Sequence, residues 1–160
     1  MTYILAIDPG NTESAYVVIN NNREPIMFAK LPNEELLSLL HCGPAARWWT
    51  VVIEMVASYG MPVGADVFET CVWSGRFQET WYARTGVLPE LVKRLPVKVH
   101  HCHSSKAKDS NITQALVDRF APGQGNHGKG TKANPGWFYG FARDVWQAYA
   151  LAVYVADTTP

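Results

Sequence analysis

Asp8, Glu54 and Asp144 each stand where an apolar segment meets a turn. Asp8 closes the run Tyr3-Ile-Leu-Ala-Ile-Asp8 and is followed by Pro9-Gly10-Asn11. Glu54 closes Trp48-Trp-Thr-Val-Val-Ile-Glu54. Asp144 opens the alanine-rich run to Ala156, with Gln147 one turn further on the same helical face. A carboxylate at the mouth of a buried strand is costly to desolvate unless something positive offsets it, and a divalent cation is one such partner. Taken singly, each acid has an ordinary account. Asp before Pro-Gly is common turn chemistry, a strand can end on any acid, and an acid at a helix start complements the helix dipole. Together, three acids far apart in the chain but at one sheet edge are how a two-cation phosphodiester site is built. Oxygen-ligated ions there bridge the phosphate, activate a water and stabilise the leaving oxygen.

The elements that would position these residues follow from periodicity. Residues 3–19 read as a buried strand, a tight turn and an antiparallel partner. Asn20-Asn-Asn22 is a second turn, and Pro25–Lys30 a third strand near the edge because of its proline. Asn33–His41 has a helix N-cap, first-turn acids and helical apolar spacing, and Gly43-Pro44 stops it. The β-branched run 48–54 then lies parallel to the first strand through a crossover, which sets Asp8 and Glu54 at the same C-terminal sheet edge. After the loop Ser58–Pro62, residues 63–84 read as a long helix with two apolar stripes. One is Val67, Phe68, Cys71, Val72 and Gly75; the other is Trp73, Phe77 and Trp81. One side should cover the sheet; the second would be further core or a subunit interface, and the interface is preferred because so small a domain has little further core to offer. Leu88–Leu95 reads as a short helix and Val97–Cys102 as a fifth strand. Adjacent strand residues point to opposite faces, so at most two of His100, His101, Cys102 and His103 can share an ion, and a four-ligand zinc site is not expected.

Ser104–Phe120 runs from a basic turn into an amphipathic helix capped by Asp109 or Ser110. Lys106 and Lys108 flank its start, a natural place for a phosphate. Residues 122–140 form a long Gly- and Lys-rich loop whose spacing does not fit a nucleotide P-loop. With Lys129, Lys132, Trp137, Phe138 and Tyr139 it has the charge and aromatic surface to track a nucleic-acid strand.

The 160 residues suit one domain spanning 1–160. No run is apolar enough to cross a bilayer, and the N-terminus has no basic region before an apolar signal core, so no membrane association and a cytoplasmic location are expected. Cys42, Cys71 and Cys102 are odd in number and far apart, which predicts reduced, mostly buried thiols. Net charge is zero, but residues 91–143 hold nine Lys and Arg against two Asp and Glu, while residues 1–90 hold five against ten. That asymmetry fits a polyanion-facing surface beside an acidic site.

In order and spacing, five pieces resemble the RuvC-type Holliday-junction resolvases, most of all the compact phage and prophage versions. They are Ile7-Asp8-Pro9-Gly10, the Val-Ile-Glu54 strand, the Ala65–Arg84 helix, the Lys-Ala-Lys-Asp-Ser-Asn helix start and the final Asp-x-x-Gln-Ala-x-Ala-Leu-Ala helix. The resemblance implies an α/β, ribonuclease-H-like fold with a five-stranded mixed sheet flanked by helices, and a homodimer through the 63–84 helix. It implies a structure-selective endonuclease that cuts four-way junctions, forks or flaps with Mg²⁺, for which Mn²⁺ substitutes, in a bacterial cytoplasm. Asp8, Glu54 and Asp144 match the catalytic, metal-binding carboxylates, and Lys106 or Lys108 the basic residue near the scissile phosphate. Gln147 stands where the family has another carboxylate. Its carbonyl oxygen can still ligate but brings no charge, so a second metal would bind weakly or lean on Asp109. Tyr59 is the nearest counterpart of the aromatic wedge of some members. The alternative is a branched-DNA-binding protein on the same scaffold with weak or no cleavage. An actin-like or sugar-kinase ATPase, which also opens with an acidic hairpin, needs two such domains, and this chain is too short for them.

Overall fold

The computed structural model describes residues 2–43 and 49–160. The first apolar run forms β1 (Tyr3–Asp8), and its return forms β2 (Glu13–Ile19), antiparallel with Asp8 opposite Ala15. β3 (Pro25–Pro32) pairs antiparallel with β2 and is an edge strand, as its proline predicts. Helix α1 (Asn33–Cys42) then crosses the sheet, so β4 (Trp49–Met55) returns parallel to β1. Trp48, read as the start of that strand, and Pro44, read as part of the helix stop, lie outside the described residues; Gly43 caps α1. Helix α2 (Ala65–Thr85) makes the second crossover, and β5 (Glu90–Lys93) runs parallel to β4. The order is β3-β2-β1-β4-β5. Three helices follow: α3 (Arg94–Cys102), α4 (Asp109–Phe120) and α5 (Val145–Thr158).

Strand alternation divides the sheet into two faces. Leu5, Ile7, Tyr16, Val18, Val51 and Ile53 pack under α1 and α2 against Leu36, Leu40, Phe77 and Trp81. Ala6, Ala15, Val17, Val52 and Val92 face the other way, onto α5 with α3 and α4 around it. α5 is buried around most of its circumference, which is why its sequence is apolar on every side.

Residues 90–93 form a strand and 94–102 a helix, whereas the spacing predicts a helix over 88–95 and a strand over 97–102. Leu88, Leu91 and Leu95 supply helical spacing but are exposed, while Val92 alone is buried in β5. Val97 and Val99 mimic strand alternation, yet Val97 is buried and Val99 exposed, as on one helical turn. Pro96 is tolerated because it lies in the first turn of α3. The tryptophan stripe of α2 is core rather than the preferred interface: Phe77 and Trp81 are buried and Trp73 packs beside them, whereas Phe68, Cys71 and Val72 are exposed. α2 begins at Ala65. Cys42 and Cys71 are exposed, because each lies at the end or on the outer face of a surface helix. Neither Asp109 nor Ser110 caps α4; the Asn111 side chain accepts from the Lys108 N–H at 2.8 Å instead. Asp144, read as a first-turn residue, is the N-cap of α5.

The 122–140 segment has its own structure. Phe138 N–H bonds the Gly128 carbonyl at 3.2 Å and Gly136 N–H the Lys129 carbonyl at 2.9 Å. Gly128 lies against Ala121 and has a left-handed φ of +68°, so a side chain there would collide with Ala121. Phe138 is fully buried among Phe141, Trp146 and Tyr149, and Trp137 stacks on Phe120 while its indole donates to the Tyr149 hydroxyl at 3.0 Å. These two rings are core rather than a stacking surface for bases; Tyr139 is exposed.

Candidate active site

Register brings the first two acids side by side. β1 and β4 pair in parallel with Ile7 opposite Ile53, and the same register carried one residue further sets Asp8 beside Glu54. Adjacent strands lie about 4.8 Å apart, and laterally paired residues point to one face. That face is the α5 side, shared with Ala6 and Val52. The row continues across the sheet through Ala15 to Lys30 on β3. Asp144 and Gln147, at the start of α5, come down onto this row.

A polar brace holds the turn after Asp8. The Gly10 N–H donates to Ser14 Oγ at 3.0 Å, Ser14 Oγ donates to Asn33 Oδ1 at 2.6 Å, and Asn33 Nδ2 donates to the Gly10 carbonyl at 2.9 Å. Ser14 and Asn33 are both buried. Asn33 was expected as a helix cap; Pro32 occupies the cap position, and the asparagine side chain ties the hairpin to α1 instead.

The centre of the cluster is a residue the sequence reading passed over. Arg94 follows directly on β5, so three neighbouring strands deliver Asp8, Glu54 and Arg94 at one edge. Arg94 Nη1 lies 3.2 and 3.3 Å from the two Glu54 carboxylate oxygens, and Nη2 donates to Gln147 Oε1 at 2.9 Å and to Asp109. Lys30, also missed, donates to Asp144 Oδ2 at 2.6 Å. The signal for Arg94 was a basic residue at a strand end, hidden because residues 88–95 were read as helix.

Asp8 has no hydrogen bond or ion pair to any described side chain. Burial pushes its carboxyl well above the ordinary aspartate value, and Glu54 and then Asp144 push it further, with Arg94 opposing. Burial raises Glu54 as well, and Arg94 holds the rise in check. Arg94 is raised: burial disfavours its charge, but Glu54 and Asp109 outweigh that. Burial is thus the main cause at both carboxyls, and at Asp8 the neighbouring acids add to it.

The oxygen-only donor set of Asp8, Glu54, Asp144 and Gln147 suits a hard cation such as Mg²⁺ or Mn²⁺, and the uncompensated Asp8 is a reason to bind one. Among the described residues, no three His, Cys, Asp or Glu side chains converge closely enough to cage an ion. Arg94 holds Glu54 and Lys30 holds Asp144, so the acids are neighbours without yet sharing a point. The His100–His103 cluster is engaged elsewhere: His100 Nε2 lies 2.8 Å from Asp157, and His101 Nε2–H donates to the Ala150 carbonyl at 2.8 Å.

Of the expected DNA-facing residues, Tyr59 and the two lysines before α4 lie beside the acids. Tyr59 is exposed, in a left-handed turn, and its hydroxyl accepts from the Leu95 N–H at 3.4 Å. It lines a cleft with Arg94, Leu95, Lys98 and Ser105. Lys98, not singled out before, also lowers the Glu54 carboxyl. Lys106 and Lys108 are exposed just before α4, where Asp109 reaches Arg94. Lys132 is exposed and Lys129 half-buried in the loop before α5.

No family model matches the chain, and no curated protein matches it in sequence. Solved structures do match. The Thermus thermophilus RuvC structure superposes with a TM-score of 0.65 at 14% identity, over 98% of this chain and 96% of that one. T. thermophilus RuvC in complex with Holliday junction substrate gives 0.66 at 14% identity, over 98% and 93%. The five-stranded mixed sheet with flanking helices is thus the RuvC, ribonuclease-H-like fold over nearly the whole chain.

Proposed function

We propose that the protein is a divalent-cation-dependent endonuclease that cuts branched DNA, with Asp8, Glu54 and Asp144 as its catalytic carboxylates. The observation that carries this reading is Asp8: a carboxylate at the end of the central strand, beside Glu54 and under Asp144, with excess negative charge around it. The fold likeness supports the same reading, because one of the matching structures is a RuvC bound to a Holliday junction. Mg²⁺, or Mn²⁺ in its place, would be held by Asp8 and Asp144, with Glu54 and Gln147 as further oxygen donors if Arg94 releases them. When bound, the cation would supply water activation and charge neutralisation at the scissile phosphate. The chain's own contribution is orientation. The Gly10–Ser14–Asn33 brace holds Asp8 still, Lys106 and Lys108 attract the phosphate backbone beside the acids, and Tyr59 offers a ring to a base at the branch point.

Dimerisation belongs to the same reading, now through the outer face of α2. Phe68 and Val72 there are each 63% exposed, a costly arrangement for a helix with no partner.

The test is cleavage of synthetic four-way junction, fork and linear duplex in Mg²⁺ or Mn²⁺. Wild type should nick the branched substrates in preference to duplex. Asp8→Asn should lower that rate by more than about 100-fold while junction binding in a gel-shift assay persists. Normal cutting by Asp8→Asn removes the assignment. A second reading, a branched-DNA-binding protein that cuts weakly or not at all, draws on Arg94 and Lys30 already engaging Glu54, Gln147 and Asp144. Junction binding by the wild type without cleavage in either metal selects it.

A further inference from the structure

The inner half of the acid cluster already contains a cation supplied by the protein. Arg94 engages Glu54 through Nη1, and Gln147 and Asp109 through Nη2. A guanidinium stays charged at any pH at which the protein is folded, and its planar fork holds several acceptors at once. Arg94 makes no hydrogen bond to Asp8 or Asp144. Asp144 is held by Lys30, whose partner carboxylate is 48% exposed at the rim, so the pair is open to exchange with solvent. The charges therefore fall into two halves. Glu54, Asp109 and the neutral Gln147 surround a guanidinium carried at the end of the edge strand β5. Asp144 has a replaceable ammonium, and Asp8, hydrogen-bonded to neither base, feels Arg94 only through space.

We infer that Arg94 is the permanent cation of the inner half, so that the site accepts one divalent ion, on Asp8 and Asp144, and not two. For a second ion to enter, Arg94 would have to leave three acceptors at once, and Gln147 has no charge with which to draw the ion in. The inference rests on the nuclease reading and adds to it: on the Glu54 side, a guanidinium takes the place of an ion in facing the substrate phosphate.

Counting bound Mn²⁺ on the full chain, by calorimetry and by electron paramagnetic resonance of the free ion, tests this without any cleavage step. Wild type should bind one Mn²⁺ per chain, Arg94→Gln two, and Asp8→Asn at least tenfold more weakly than wild type. Two ions on the wild type, or still one on Arg94→Gln, overturn the inference and leave the nuclease reading standing. No ion on the wild type overturns both. If Arg94→Gln does not fold, spectra of ¹⁵N-arginine-labelled wild type decide the matter. The Arg94 Nη signals should remain distinct in saturating Mg²⁺; their collapse onto those of solvent-exposed arginines would mean that the ion has displaced the guanidinium, and the inference would fail.

Discussion

At the C-terminal end of α5, Asp157 accepts from Arg23 Nε at 2.7 Å, from Arg119 Nη1 at 2.6 Å, and bonds His100 Nε2 at 2.8 Å. One carboxylate there has three basic partners. At the N-terminal end, Glu54 and Asp109 share the Arg94 guanidinium, with Lys98 also acting on Glu54, Asp144 has the Lys30 ammonium, and Asp8 has no ion pair to any described side chain. Burial works against the charge of Asp157 too, but the three partners override it and hold its carboxyl well below the ordinary aspartate value. At the other end burial prevails, and Asp8 rises. A surplus of bases makes a clamp that joins β3's approach, α3, α4 and α5. A surplus of acids makes a place that is incomplete until something positive arrives. Both are charge clusters on one helix, and only the ratio of signs tells the structural one from the candidate functional one.

The comparison can be broken most directly at the clamp. Asp157→Ala should cost about 2–3 kcal/mol, the range for losing hydrogen bonds to charged groups, and lower the melting temperature by several degrees. Mn²⁺ affinity should be unchanged. Equal damage to both would mean that the two ends are not independent.

A pH series on metal-free protein sharpens the contrast, with a smaller effect. Asp157 has a lowered carboxyl in the folded state, so its contribution is present above the ordinary aspartate value of 3.8 and is lost as pH falls below it. Asp8 and Glu54 have raised carboxyls, so their contribution is present at low pH and is lost as pH rises through their folded values. Melting temperature in a chelator should therefore fall on both sides of a mildly acidic maximum. Mg²⁺ should erase the upper limb and leave the lower one. An upper limb indifferent to Mg²⁺ would refute the cation assignment at Asp8.

The smallest expected effect is at the rim. Lys30→Met frees Asp144 from a half-exposed ion pair and should change stability by less than about 1 kcal/mol. It should raise Mn²⁺ affinity slightly, since an ion no longer competes with the ammonium. Weaker Mn²⁺ binding would mean that Lys30 orients Asp144 rather than competing for it.

The parts of this arrangement that were legible in the sequence are those written in long apolar runs. β1, β2 and β4 each have a buried centre and a polar end, and α5 is apolar on all sides, so Asp8, Glu54, Asp144 and Gln147 could be placed before any coordinates. β5 has four residues, too few to establish a period, and the exposed leucines around it imitate a helix. Misreading it hid Arg94, whose significance depends on lying at a strand end. Phe138 and Trp137 were misjudged for another reason. A Gly-rich loop is normally a surface feature, and nothing local announces that its rings fill a gap beside Tyr149. Lys30 could not be linked to Asp144 because their encounter runs across the strand row from β3 to α5, a distance that no sequence window spans.

The Asn33 brace has a consequence for motion. Asn33 is both the first residue of α1 and the buried partner of Ser14 and Gly10. The hairpin tip beside Asp8 therefore cannot flutter on its own; releasing it means lifting the start of a helix from the sheet. Although it sits in a turn, the Gly10 amide, held by Ser14 Oγ, should be protected in deuterium exchange, and Asn33→Ala should weaken that protection. Asp8 is thus carried on a part of the backbone that stays put, while Lys106, Lys108 and Lys132 stand exposed.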